Sequence, residues 1–364
     1  MSSRFLVASL AALLASCWLP AAAPPPRPKE VKLQGPKAEV SKPVFSPDGK
    51  LVAIAGSDRK IRIWDASSGE CVLEFASGHK FDPDRGHWGS AGALAFTPDG
   101  KTLITGSNDG AVLLHDVKTG KKVDTLEIPG VIRRSYFSPD GKKLLVNSTK
   151  VHLWDFEARK EIRSQDFRAG VHGPTVGFDA DGEVIVLGHV QGIKSGHHLR
   201  FATFDWTTGK TRYVSPEFPP RGLGELALSR DGKWAASSGE GKLIHVWEVK
   251  TGKVLASFSH GPGRVCTNSV VFSPDRSMLA LGVKHQKSDG LTDAHPPRGT
   301  VRVFDLSTVG QGDKTRVSTV GVWEGDPGPV APLAFSTDGK RLAAGTFERG
   351  VVRIREVKGL PAQK

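Results

Sequence analysis

Residues 45–65, FSPDGKLVAIAGSDRKIRIWD, carry the reading that decides the fold. Phe45 ends an apolar stretch, Pro47 presets the first central position of a turn, and Gly49 supplies the left-handed backbone that closes a hairpin. Leu51–Gly56 (LVAIAG) then reads as a second strand, and IRIWD, ending at Asp65, as a third with alternating pattern. After the acidic residue comes a second turn, Ser68-Gly69, and a fourth strand, CVLEF, over Cys71–Phe75. The unit is therefore four antiparallel strands.

The unit recurs. Its hairpin motif stands at Phe45 (FSPDG), Phe96 (FTPDG), Phe137 (FSPDG), Phe178 (FDADG), Leu228 (LSRDG), Phe272 (FSPDR) and Phe335 (FSTDG), spaced by 51, 41, 41, 50, 44 and 63 residues. Third strands follow each time: VLLHD to Asp116, VHLWD to Asp155, FATFD to Asp205, IHVWE to Glu248, VRVFD to Asp305 and VRIRE to Glu356. No such unit can bury both apolar faces alone, so the copies pack radially and ring closure protects their edges. The expected fold is all-β, a seven-bladed β-propeller of four-stranded antiparallel blades. The seventh copy lacks a fourth strand, while Glu30–Gly35 (EVKLQG) has no blade of its own. Val31–Leu33 is expected to complete blade seven beside Val351–Ile354, so that an amino-terminal strand closes the last blade.

With Trp64-Asp65 and Trp154-Asp155 at the ends of two third strands, the chain resembles the WD-repeat (WD40) family over roughly residues 30–357. His115, Phe204, Phe304 and Arg355 replace the tryptophan elsewhere. The family's tetrad of Gly-His, Ser/Thr, Asp and Trp is matched in part: Asp58 and Asp109 stand six residues before Trp64 and His115, whereas Ser148 takes that place in the third copy. The resemblance implies a module that binds protein rather than an enzyme.

The amino terminus reads as an address. Arg4 precedes an apolar run, Phe5–Ala15, of signal-core length and too short to span a bilayer, and Leu14-Ala15-Ser16-Cys17 resembles the bacterial lipobox. Residues 1–17 are thus expected to be a signal peptide, Cys17 its lipidation site, 18–29 a Pro/Ala-rich linker, 30–358 the propeller and 359–364 a tail. The plainer alternative makes Cys17 a small apolar residue in the signal's tail. The expected location is the bacterial cell envelope, lipid-anchored at Cys17, or the periplasm or exterior, with membrane contact only through that anchor. Cys71 and Cys266 fall on non-adjacent blades, which argues against a structural disulfide.

A formal charge of +12 suits an anionic partner, but most Lys and Arg recur at repeat-locked turn positions, as solvated charge does. Basic and aromatic residues do not interleave as a single-strand platform requires, so no nucleic acid is expected. Long connections occur at His79–Gly92, His189–His198, Ser215–Gly224 and Lys284–Gly299. In up-and-down blades these all open on one rim. Nine of the twelve histidines fall in connections assigned to it, and the candidate binding residues are His79, Arg85, His87, Trp88, His189, His197, His198, Arg221, His285 and Arg298. A metal site built on His197, His198 and Asp289 or Asp293 matches no compact motif. No phosphate loop, GxSxG elbow or HExxH helix occurs, so no catalytic residue and no cofactor is expected. The expected function is an exported scaffold, a monomer, that binds a protein partner through the insert-bearing face. The alternatives are a propeller enzyme of metal-dependent lactonase or hydrolase type, or a surface module for an anionic glycan.

Overall fold

The hairpin motifs fold as their residues require, and one bonding pattern explains six of the seven. Ser46 Oγ donates to Asp48 Oδ1 (2.6 Å), the Lys50 N–H donates to the same oxygen (3.0 Å), and the Leu51 N–H donates to Ser46 Oγ (2.9 Å). The hydroxyl–carboxylate pair repeats at Thr97/Asp99, Ser138/Asp140, Ser229/Asp231, Ser273/Asp275 and Ser336/Asp338. In the fourth copy Asp179 takes over, accepting from the N–H groups of Asp181 and Glu183. The acidic residue that ends a third strand fastens the next turn in the same way. Asp65 accepts from the N–H groups of Ser67 and Ser68, and Asp205 from that of Thr208. Such bonds favour the ionised carboxylate. Asp65 is lowered to about 2, first by the Ser67 hydroxyl and then by these backbone groups.

The computed structural model describes residues 30–35, 40–80, 93–167, 171–191, 199–214, 223–239, 243–259, 265–285, 298–327, 330–346 and 350–357. Its strands form seven four-stranded antiparallel sheets. Blade one comprises Val44–Phe45, Leu51–Ala55, Lys60–Asp65 and Cys71–Ala76. Blade two runs from Ala93–Phe96 to Lys122–Glu127, blade three from Arg134–Phe137 to Lys160–Gln165, blade four from Val171–Phe178 to Thr211–Val214. Blade five runs from Leu223–Leu228 to Val254–Ser259 and blade six from Val265–Phe272 to Ser318–Pro327. Blade seven holds Val330–Phe335, Arg341–Thr346 and Val351–Glu356, and its fourth strand is Glu30–Gln34.

This is the expected closure, and its register sets Val31 opposite Ile354 and Leu33 opposite Val352. Leu33 is fully buried in a cluster that holds Val352 and Ile354 of blade seven together with Val52, Ile54 and Trp64 of blade one. Six further buried clusters each join one blade to the next, for example Ile61, Ile63, Leu94 and Phe96 between blades one and two. The core is therefore a set of seams rather than a centre. Dispersion and burial act between blades, as repeated units that cannot bury their own faces demand.

The hairpins also touch in a ring. Pro47 lies beside Gly100, Pro98 beside Gly141 and Pro274 beside Gly339, and across the closing seam Arg341 Nη2 donates to the Gly49 carbonyl (2.5 Å). In blade six Arg276 stands where other copies have glycine and adopts φ +65°. A Cβ there costs about 1 kcal/mol. The side chain offsets it by pairing with Asp231 (3.0 Å) and lying over the Trp234 ring (4.7 Å).

Two connections begin later than polar composition suggests. His189 lies within the strand Val184–Gln191, opposite His172 and Phe201, and His285 ends the strand Met278–His285, opposite Val265. Arg298 opens the strand Arg298–Asp305, opposite Pro327. These three residues, read from sequence as lying in connections, extend blades four and six, because ladder bonds use backbone groups that any side chain leaves available. Cys71 and Cys266 stand on blades one and six. Among the described residues there is no α-helix.

Candidate functional site

Antiparallel order sends the hairpins and the turns after third strands to one rim. The connections from second to third strands, and from blade to blade, open on the other. Hydrogen bonds trace that second rim across blades: Lys80 N–H to Asp109 Oδ2 (2.8 Å), Ile132 N–H to the Ser107 carbonyl (3.1 Å) and Ser148 Oγ to the Pro129 carbonyl (3.0 Å). The segments 81–92, 192–198, 215–222 and 286–297 join strand ends on it. Arg85, His87, Trp88, His197, His198 and Arg221 belong to those segments and lie outside the described residues, as does Cys17.

His79 is the candidate whose side chain the structure describes, and it does not face solvent. It is buried, with both ring nitrogens used. Nδ1 lies 3.1 Å from each oxygen of Asp109, and Nε2 lies 2.9 Å from Thr105 Oγ1. An ionised carboxylate can only accept, so Nδ1 donates to Asp109, and Nε2 shares a hydrogen bond with the threonine hydroxyl. Thr105 in turn meets His115 Nε2 (3.3 Å), completing a chain from carboxylate through imidazole and hydroxyl to a second imidazole. His79 therefore fastens the entry to blade two onto the turn that carries Asp109 and has no surface to offer a partner. The sequence signal for this role is Gly78-His79, thirty residues before Asp109. Burial pushes the Asp109 carboxyl up, but the His79 hydrogen bond and charge and the N–H groups of Lys80 and Ala111 outweigh it, and the group ionises below the ordinary carboxylate range.

The same positions are filled differently elsewhere. In blade five Trp247 Nε1 donates to Ser237 Oγ (3.2 Å), both buried. In blade three Val146 stands where blade two has Thr105, and Trp154 Nε1 is buried without a hydrogen-bond partner. That blade uses His152 instead, with Nδ1 2.7 Å from Glu161 Oε1 and Nε2 3.0 Å from Ser148 Oγ. Hydroxyl–imidazole–carboxylate order is also that of a hydrolytic triad. Here Thr105 is fully buried and Ser148 Oγ is already directed at the Pro129 carbonyl, so both chains hold loops in place.

His115 gives blade two a pH dependence. Burial above all, with His79 and Lys122 nearby and the Gly120 backbone opposing, lowers it to about 4 from 6.5. A base depressed in the folded state is protonated first in the unfolded chain, so stability present above pH 6.5 is lost as pH falls from 6.5 towards 4. The full loss is about 3–4 kcal/mol, at about 1.4 kcal/mol per pH unit. Phenylalanine takes no proton, so His115→Phe is expected to flatten the fall in melting temperature between pH 7 and 4.5. Equal slopes for the two proteins would refute this.

Among the described residues no three His, Cys, Asp or Glu side chains gather to hold a metal ion, and His197, His198, Asp289 and Asp293 lie outside them.

Comparison with known proteins bears on the whole ring. The family model described as WD domain, G-beta repeat, matches residues 29–65 and 71–116, which span the closing strand, blade one and three strands of blade two. Eukaryotic translation initiation factor 3 subunit I of Pyricularia oryzae is 24% identical over 344 residues, covering 90% of this chain and 92% of the relative. The proteins of the same name from Scheffersomyces stipitis and Candida albicans are 27% and 22% identical over 350 residues, each alignment covering 90% of this chain and 92% of the relative. These relatives are named for a factor subunit and not for a catalysed reaction. They also correct the location expected from the amino terminus: proteins named as subunits of a eukaryotic translation initiation factor contradict a place in the bacterial cell envelope. An eleven-residue apolar run followed by a cysteine is a short compositional signal, and it carries less information than an alignment along the whole ring.

Proposed function

We propose that this seven-bladed β-propeller, which is similar to WD-repeat proteins, is a protein-binding scaffold subunit rather than an enzyme, gripping its partner on the rim opposite the hairpins. The observation that carries this reading is the contrast between rims. Hairpin after hairpin is locked by the same hydroxyl–carboxylate pair, which leaves one rim nearly invariant. The connections on the other rim differ from blade to blade in length and composition, and binding on such scaffolds concentrates in variable loops held by rigid elements. The relatives' name, that of a subunit, supports work within an assembly. Their alignment over nine-tenths of this chain makes the whole ring the comparable unit.

A photo-crosslinking amino acid placed at Ser57, an exposed turn residue on the proposed rim, is expected to give a discrete protein adduct in extract of the source cells. The same probe at Lys101, in a hairpin on the opposite rim, is expected to give none. Adducts from Lys101 alone would overturn the reading.

A further inference from the structure

Among the described residues, three other than glycine adopt positive φ, and all three are arginines: Arg59 (63°), Arg159 (55°) and Arg276 (65°). A side chain there costs about 1 kcal/mol relative to glycine, so each needs a reason. Two have one within the fold. Arg276 pairs with Asp231 and covers Trp234, and Arg159 bonds Asp124 (3.0 Å) and covers the Phe156 ring (4.1 Å). Arg59 has none: it sits exposed in the turn between strands two and three of blade one, with no carboxylate among the described residues within ion-pairing reach. Blade two has Gly110 at the matching place, with φ +80°.

Arg59 begins an arc of such cations. Lys80 follows blade one, Arg133 precedes blade three, and Lys150 occupies the turn between strands two and three of blade three; all are exposed. Backbone and side-chain hydrogen bonds link the segments that carry the arc. The Ser77 N–H donates to the Arg59 carbonyl (2.8 Å), the Lys80 N–H reaches Asp109 (2.8 Å), and the Ile128 N–H donates to the Gly110 carbonyl (2.8 Å). The Ile132 N–H donates to Ser107 (3.1 Å), and Ser148 Oγ closes on Pro129 (3.0 Å).

Among the described residues, the carboxylates nearest Arg59 and Lys80 are engaged, whereas Glu127, at the end of blade two's fourth strand, is exposed on this rim. Asp58 and Glu74 hold Arg62 (2.7 Å each), Glu74 also holds Lys60 (2.5 Å), and Asp109 is held by His79. On the opposite rim the exposed lysines of the hairpins, Lys50, Lys101, Lys142 and Lys340, each follow a turn aspartate by two residues. Among the described residues of blades one to three, the four exposed cations of this rim outnumber its exposed, unengaged carboxylate, Glu127.

We propose that Arg59, Lys80, Arg133 and Lys150 form the contact surface for an acidic segment of the protein partner. This deepens the scaffold reading and rests on it. Charge complementarity selects an acidic occupant. A protein segment is favoured over single-stranded nucleic acid because no aromatic side chain is among the exposed large hydrophobics of the described residues, and stacking platforms need them.

The test uses the full-length protein and a fluorescein-labelled peptide of ten glutamates, followed by anisotropy. One variant combines Arg59→Gly, Lys80→Gln, Arg133→Gln and Lys150→Gln. A control combines Lys101→Gln, Lys142→Gln, Lys233→Gln and Lys340→Gln on the hairpin rim, with the same loss of charge. Glycine fits the φ of Arg59, so the first variant keeps its fold, which its melting temperature verifies. The expected result is binding by wild type, weakened about tenfold or more in the first variant and less than about twofold in the control, a size that four exposed ion pairs can supply. No binding by wild type, equal losses in the two variants, or tighter binding of a uridine decamer than of the peptide would overturn the inference. If any of these occurred while Ser57 still crosslinked a partner, the acidic contact would fall and the scaffold reading would stand.

Discussion

Asp109→Ala is expected to destabilise the protein by about 3–5 kcal/mol, the range for removing one partner of a buried, hydrogen-bonded pair. The carboxylate accepts from His79 Nδ1 and from the N–H groups of Lys80 and Ala111, so its loss leaves three donors unsatisfied at the junction of blades one and two. His79 and Thr105 are buried, and water cannot substitute without opening the seam. Urea unfolding measures the loss, and hydrogen exchange locates it: faster exchange is expected first in Thr102–Gly106 and Ala111–Asp116. Asp109→Asn, which keeps acceptor geometry at one oxygen, is expected to lose less. A change below about 1 kcal/mol for the alanine variant would mean that the chain from Asp109 to His115 is ornamental.

The hairpin motifs and the alternating third strands make blade number and strand order readable from sequence, because each turn demands particular residues. Asp48, Ser46 and Gly49 are constrained by the turn itself, whatever surrounds them. The closing strand is legible for a different reason: one unit lacks a strand and one strand lacks a unit. Strand ends are harder. His189, His285 and Arg298 look like loop residues because periodicity reports side-chain burial, whereas their pairing is a matter of backbone groups alone. His79 shows the opposite confusion. A histidine beside a long polar segment resembles a surface ligand, and its burial depends on Thr105 and Asp109, which come from two other elements. The charge on Arg59 can be counted from sequence, but that it stands at positive φ without a partner among the described residues cannot.

Removal of residues 30–34 is expected to have the largest effect on stability. Leu33 is fully buried between blades seven and one, and deleting a buried leucine side chain alone costs about 2–5 kcal/mol. Val31 packs against the same cluster, and Glu30 bonds both Arg353 and Arg355. Without the strand, Val351–Glu356 becomes an open edge, a template for association with other chains. A combined loss of about 5 kcal/mol or more corresponds to a fall in melting temperature of about 7 °C or more for a chain of this size. Differential scanning calorimetry of the protein lacking residues 30–34, beside wild type, tests ring closure most directly. A drop of that size, with aggregation on heating, is the expected result; an unchanged melting temperature would contradict a ring fastened by its amino-terminal strand.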